Sequence, residues 1–334
     1  MEAPASTDSS SPAEGPLAGR LFDLNGDDRD VALEAVSLDN ISDDQLLWID
    51  LAGQQMRDLP RVAQQLKWPD GLAGMLSGTT PQLRMFGDTF LVTVVAARND
   101  GQLRFSGTVL SIVAGRNYVV SVHPEPIDFI RELQQREAGN SEIGVLSAQS
   151  FVASLLDWHL GSYFEAVSDF EAADERLETG ILDGRHRDCL HSLRELRKAA
   201  SRLRRMLSAH RGVFSAMARP DFLPSAGEES NEHYRTLDGH YHRAWDAVEG
   251  TREIVIGSFE LFSNQTALRT NDVVRGLTFV TVLIGVLAVI AGVLGMNFEA
   301  PIFKTGMTGL LVAIALMLAL AAAGVVIAKW REWI

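Results

Sequence analysis

The spacing of hydrophobic and polar positions changes character three times along this chain. Between Arg20 and about Ala138 it alternates between strand-like and helix-like periods. Leu46–Leu51, Thr89–Ala97, Leu103–Val113 and Tyr118–Val122 are runs rich in apolar and β-branched residues, which suit a pleated, buried surface. Asn99-Asp100-Gly101 is a turn signal between two of these runs, and Phe86 to Val122 reads as consecutive antiparallel strands. Shorter helical patterns lie at Leu59–Lys67 and Ile127–Arg136. Together they predict an α+β domain over residues 20–145.

From about Ser147 the pattern is wholly helical. One predicted helix carries Tyr163, Phe164, Val167, Phe170, Leu177 and Ile181 at spacings of three, four and seven, the repeat of a single helix face. Its other face holds Glu165, Asp169, Glu171, Asp174, Glu175 and Glu178. The next helix places Leu190, Leu193, Leu196, Leu203, Leu207 and Phe214 on one side. It also bears Arg185, Arg187, Arg194, Arg197, Lys198, Arg202, Arg204, Arg205 and Arg211. Such a basic run reads as a nucleic-acid or lipid patch, or as the partner of the acidic helix in a hairpin over 146–228; charge balance favours the hairpin. A third helical pattern starts near Glu229 with Leu237, Tyr241, Trp245, Val248, Val255, Phe259 and Phe262, and no proline occurs between Pro224 and Pro301. At about 1.5 Å per residue, a helix from 229 to 296 is on the order of 100 Å long. Residues 229–275 are therefore expected to form a stalk, a shape that tends to self-associate.

Toward the end the amphipathic period gives way to unbroken apolar sequence. No ionisable side chain occurs in the 23 positions from Gly276 to Phe298, nor in the 24 between Lys304 and Lys329. A helix crosses a bilayer's hydrocarbon layer with about 20 apolar residues. Two transmembrane helices are thus predicted, 276–297 and 306–328, joined by an extracytoplasmic loop over 298–305 and followed by a short tail, 329–334. Arg269, Arg275, Lys329 and Arg331 flank the spans on one side, while the loop sets Lys304 against Glu299. The positive-inside rule then puts both termini in the cytoplasm, with Trp330 and Trp333 as interfacial anchors; the expected location is the cytoplasmic (inner) membrane. The competing reading, two buried core helices, fits poorly because core helices are usually shorter and amphipathic.

Composition adds exclusions. The net charge of −13 argues against a nucleic-acid partner, since phosphate would be repelled. A single cysteine, Cys189, excludes an internal disulfide or a cysteine-rich zinc cage. The start shows no basic segment followed by an apolar core, so no cleaved signal peptide is expected, and residues 1–19, rich in Ser, Pro, Ala and Gly, read as disordered. There is no Walker-type loop or Gly-x-Gly-x-x-Gly after a strand. No nucleophile–base or metal-ligand spacing stands out, so the chain does not read as an enzyme. His240 and His242, two residues apart, would point about 200° apart on a helix, and His186 and His191 are also badly spaced for one ion.

The first span closes on Gly295-Met296-Asn297, followed by Phe298-Glu299. With this tripeptide at this place in this architecture, the chain resembles the CorA superfamily of divalent-cation channels, including its ZntB branch. Asn271-Asp272-Val273-Val274-Arg275-Gly276-Leu277-Thr278 is similar to the family's segment at the cytoplasmic mouth of the pore, and Asp246, Glu249 and Arg252 fall where the family has Asp, Glu and Arg. The resemblance implies a CorA-like homopentamer whose first span lines the pore. Asn271, Val274, Leu277, Gly285 and Ala288 would face that pore, with Gly295, Met296 and Asn297 as the selectivity motif and Glu299 in the loop. For Gly285 and Ala288, close helix packing is an alternative; for Asn297, a helix cap is.

The implied cargo is a divalent cation, Mg²⁺, Co²⁺ or Ni²⁺, or alternatively Zn²⁺, with no resident cofactor. Mg²⁺ gives up its water reluctantly, so a ring of neutral Asn297 amides suits recognition of the hydrated ion and still lets it leave. Gly295 would spare a side chain where the backbone bends. Two departures bear on which ion. Gly285 and Ala288 replace the family's bulkier Met and Thr, moving the expected constriction to Leu277 and Val274. Thr236 stands where the family's cytoplasmic sensing carboxylate would be, leaving Asp238 as the nearest candidate metal-sensing residue. Glu249, Glu253, Glu260 and Asp272 are expected in a charged funnel below the constriction. The partners implied are further copies of the chain, the lipid bilayer and the cation. The alternative is a membrane-anchored structural or sensor protein that does not conduct.

Overall fold

The computed structural model describes residues 18–36, 40–101, 103–136, 143, 146–184, 186–223, 228–296 and 306–331. Most of the segment 1–19 and the whole loop 298–305, with Asn297 and Glu299, lie outside the described residues. The chain divides into two compact units, one built from residues up to Leu177 with Arg187–Gly257, the other from Glu178–His186 with Ser258 onward.

The first unit contains a seven-stranded sheet. Its strands are β1 (Ala18–Asp23), β2 (Arg29–Ala32), β3 (Gln45–Ala52), β4 (Gln82–Phe86), β5 (Thr89–Asn99), β6 (Phe105–Ala114) and β7 (Tyr118–His123). Their spatial order is β2-β1-β3-β7-β6-β5-β4. β5 to β7 form the expected antiparallel meander, and β4 extends it by pairing antiparallel to β5. The turn after β5 uses Gly101 at φ +90°, a left-handed conformation that glycine adopts without strain. β3 joins the meander by pairing parallel to β7, Leu47 opposite Tyr118 and Ile49 opposite Val120. Parallel neighbours need a crossover, and here the chain between them includes α1 (Leu59–Gln65) and α2 (Leu72–Met75). The α+β prediction holds, and three strands are added to it: β1, which begins inside the segment expected to be disordered, β2 and β4.

Both faces of the sheet are buried, so the inner strands are apolar almost throughout. On one face Leu47, Ile49, Leu51, Val113 and Val120 pack with Val62, Leu66, Leu72 and Leu76. On the other, Trp48 stacks with Phe22 and meets the Phe151 ring edge-on at 5.4 Å, and Phe90 meets Phe222 likewise at 5.4 Å. Helices α3 (Asp128–Arg136), α4 (Ala148–Leu182), α5 (His186–Ser208) and α6 (Arg211–Met217) complete the unit, together with the first part of α7 (Glu228–Leu294).

β4 covers β5 only as far as Thr93, leaving later backbone groups of β5 at an edge. The helices supply their partners. His210 Nε2 accepts the Val95 amide at 2.8 Å, Tyr163 Oη donates to the Val95 carbonyl at 2.8 Å, and Ser162 Oγ accepts the Ala97 amide at 3.0 Å. Buried backbone groups demand such partners. His210 also explains a departure from the sequence pattern. The helix expected to run through Phe214 breaks after Ser208, and α6 starts at Arg211, because the turn between them aims the imidazole at β5. Leu190, assigned to the apolar side of that helix, is 52% exposed.

The second unit holds the tip of α4, the α4–α5 turn, the rest of α7, and α8 (Gly306–Trp330). At the turn Gly184 adopts φ +77°, again a conformation suited to glycine, and its carbonyl accepts a hydrogen bond from Arg269 Nη1 at 3.3 Å. Among the described residues two helices, α7 and α8, are long and apolar enough to cross a membrane, and none of their most apolar stretches is buried within the chain.

Candidate functional site

α7 is continuous from Glu228 to Leu294, as the absence of proline led one to expect. Its apolar part has two distinct faces. Gly276, Phe279, Leu283, Leu287, Ile290 and Leu294 are half-buried and recur every three or four residues. On α8 the positions removed from solvent are Gly309, Ala313, Met317, Ala321, Gly324 and Ala328, nearly all small. The two stripes meet: a Cβ placed on Gly324 would lie 3.1 Å from Leu283 Cδ1 and 4.0 Å from Phe279 Cζ. Small residues let apolar helices approach closely, which is how they gain contact without a hydrophobic drive.

At about 100° per residue, Asn271, Val274, Leu277, Gly285 and Ala288 fall within an arc of about 120°, centred opposite the stripe that meets α8. All five are exposed, Leu277 to 65% and Val274 to 53%. Nothing lies within 4 Å of a Cβ built on Gly285, so packing against the chain's own α8 does not account for that glycine. The same side continues toward the N-terminal end of α7 as a shallow groove lined by Phe259, Phe262, Thr266, Thr270, Asn271 and Val274. An apolar surface this extensive is covered by lipid or by other protein in any stable state.

α7 ends with the Gly295 amide on the Ala291 carbonyl at 2.9 Å and the Met296 amide on Val293 at 3.3 Å, a tightening last turn. Gly295 is not among the residues with positive φ, and a Cβ there would meet only carbonyls of its own helix, Ala291 O at 3.3 Å and Gly292 O at 3.5 Å. A positive φ therefore does not account for this glycine, while the 3.3 Å approach to the Ala291 carbonyl is tight for any Cβ. Met296 is 52% exposed.

In the first unit, Asp238 is half-buried with its carboxylate 3.7 Å from His242 Nε2, and Thr236 is exposed. His240 turns the other way and binds Asp157 of α4 through Nδ1, so these two histidines diverge as their spacing requires. Among the described residues no three His, Cys, Asp or Glu side chains gather as metal ligands. Glu249 is not a free funnel charge: Arg204 Nε lies 2.8 Å from its carboxylate. Arg204 also sits over the Trp245 ring, 5.9 Å from its centroid.

What sequence reasoning missed is a buried histidine pair. His159 and His210 are wholly buried with ring centroids 5.0 Å apart. Neither His159 nitrogen has a hydrogen-bond partner among the described residues. Burial holds His210 down to about 4, and burial together with His210 holds His159 well below the usual histidine range. The only signal in the sequence was their place within apolar helical stripes.

The relatives agree with this architecture. The cobalt/magnesium transport protein CorA of Methanocaldococcus jannaschii is 24% identical over 317 residues, 92% of this chain and 98% of that protein. The cobalt/magnesium transport protein CorA of Thermotoga maritima is 25% identical over 228 residues, 67% of this chain and 64% of that protein. The structure of the CorA magnesium transporter from Methanocaldococcus jannaschii superposes with a TM-score of 0.71 at 20% identity, covering 95% of this chain and 98% of that one. The family model described as CorA-like Mg²⁺ transporter protein, a transporter family and not an enzyme family, matches residues 43–329. With most of its length matched, this chain belongs to that CorA-like family.

Proposed function

We propose that this protein assembles as a homopentamer in the cytoplasmic membrane and conducts a hydrated divalent cation through a pore lined by α7. The observation that carries this reading is the face of Asn271, Val274, Leu277, Gly285 and Ala288, turned away from α8 and open along the apolar part of α7. One chain with two spans encloses no channel, whereas five copies of this face do. The groove at Phe259 and Phe262 would then be covered by neighbouring copies of α7, and the outward side of α8 would meet lipid. Asn297 follows directly on Met296, and a ring of five would offer neutral acceptors to the ion's water shell. Mg²⁺ and Zn²⁺ both remain cargo of this reading, carried without a resident cofactor, with both termini in the cytoplasm.

Purified protein in liposomes, loaded with a metal-sensitive dye, tests this. Flux of Mg²⁺, Zn²⁺, Co²⁺ or Ni²⁺, measured with and without a pH gradient, identifies the cargo and any coupling to protons. Absence of flux for all four from a pentameric preparation would refute conduction and leave a membrane-anchored structural or sensor protein.

A further inference from the structure

The arginine-rich face of α5 is not consumed by the chain itself. Arg204 pairs with Glu249, Arg202 donates to the Phe105 carbonyl at 2.8 Å, and Lys198 pairs with Glu195. Arg194, Arg197 and Arg205 are exposed and make no ion pair among the described residues. Their spacings of three and eight place them along one stripe of the helix. The same unit carries a complementary surface. A cleft of about 480 Å³ between α3, α4 and the end of β5 is lined by Asp128, Glu132, Asp157, Glu165 and Asp169. Its one arginine, Arg98, already pairs with Asp100 and Glu125; Asp128 has Arg131 and Asp157 has His240 as partners, while Glu132, Glu165 and Asp169 make no ion pair among the described residues. Partial burial, then the charges of Glu132, Asp128 and Asp169, push the Glu165 carboxyl up, so like charges repel within this cleft.

We infer that the Arg194–Arg197–Arg205 stripe of one copy docks on the acidic α3–α4 cleft of the next copy. This rests on the homopentamer proposed above and names the surfaces that would join its subunits outside the membrane. The two faces belong to different elements, so the contact is head-to-tail, the type that closes into a ring. It also relieves both problems at once: unpaired guanidinium groups find carboxylates, and Glu132, Glu165 and Asp169 find positive charge. A polyanion is the poorer occupant, since it would meet a chain of net charge −13.

The test uses two full-length chains with different tags, co-expressed, both carrying Cys189→Ser. One carries Ser201→Cys, exposed on the stripe between Arg197 and Arg205, and the other Gly161→Cys, which lines the cleft where a Cβ meets nothing within 4 Å, and a bismaleimide joins thiols within reach. A covalent dimer bearing both tags is expected. Its yield should fall at least roughly threefold when about 0.5 M salt replaces about 0.05 M, because salt shortens the reach of exposed charges. Arg194→Glu with Arg205→Glu should reduce the yield, and adding Glu132→Lys with Asp169→Lys to the partner should restore it. The salt series needs no charge-reversal variant, so it decides the matter even if those variants misfold. A pentameric mass without the doubly tagged dimer overturns this docking and leaves the pentamer reading standing. A single-chain mass for the unmodified protein overturns the pentamer reading instead.

Discussion

Acidification should destabilise the first unit through the pair His159 and His210, and the size of the effect follows chiefly from their burial. His210 Nδ1–H donates to the Met206 carbonyl at 2.9 Å, and its Nε2 accepts from the Val95 amide. A protonated ring loses that acceptor and turns a donor toward a donor. Tyr163 from α4 and Tyr241 from α7 face the cluster, with Arg211 and Asp238 acting on Tyr241; β5 contributes only backbone. The folded value of about 4 lies below the ordinary 6.5. The unfolded chain therefore binds more protons between these values, and stability is full above about 6.5 and lost as pH falls toward 4. The difference of about 2.5 units corresponds to about 3 kcal/mol, and His159 acts in the same direction. The assay is chemical denaturation of the full-length protein in detergent, followed by tryptophan fluorescence from pH 7.5 to 4. His210→Gln keeps an acceptor and a donor without titrating, and His159→Phe removes two unpartnered nitrogens. The double variant should lose most of the acid slope. An unchanged slope in the double variant would refute the argument and place the acid sensitivity in other groups.

Three further outcomes concern transport. Asn297→Ala should lower divalent-cation flux in liposomes by about tenfold or more, the ratio given by losing about 1.4 kcal/mol, with the oligomer unchanged in light scattering; wild-type flux would reduce Asn297 to a helix cap. Leu277→Ser should raise basal leak several-fold in the dye assay, because a hydroxyl ring holds water where leucine expels it, and an unchanged leak moves the gate elsewhere on α7. Millimolar Mg²⁺ on the cytoplasmic side should inhibit flux weakly, given Thr236 and an Asp238 already beside His242. Strong inhibition abolished by Asp238→Asn would show that this carboxylate senses the ion after all.

The sequence by itself determined those features that depend on local pattern. Two apolar runs without charge, a proline-free α7, and the turn at Asn99-Asp100-Gly101 are written in consecutive residues, and so was the meander from β4 to β7, apart from the short β4 itself. The family resemblance was legible for the same reason, since Gly295-Met296-Asn297 has meaning only at the end of such a run. β1, β2 and β4 were missed because they are short and carry residues such as Arg20, Arg29, Asp30 and Arg84. They are strands because a neighbour offers each a ladder, β3 for β1, β1 for β2 and β5 for β4, not because their own pattern demands it. The parallel pairing of β3 with β7 joins residues about 70 positions apart, and no local signal encodes that. Tertiary structure alone also decided which polar groups are spent. In the sequence Glu249 and Arg204 stand as separate charges, whereas packing of α5 beside α7 pairs them. It likewise buried His159 and His210 side by side and broke α5 at His210, because an unpaired Val95 amide at the sheet edge must be satisfied from outside its own strand. Periodicity reports which side of a helix faces the core; only the fold determines what waits there.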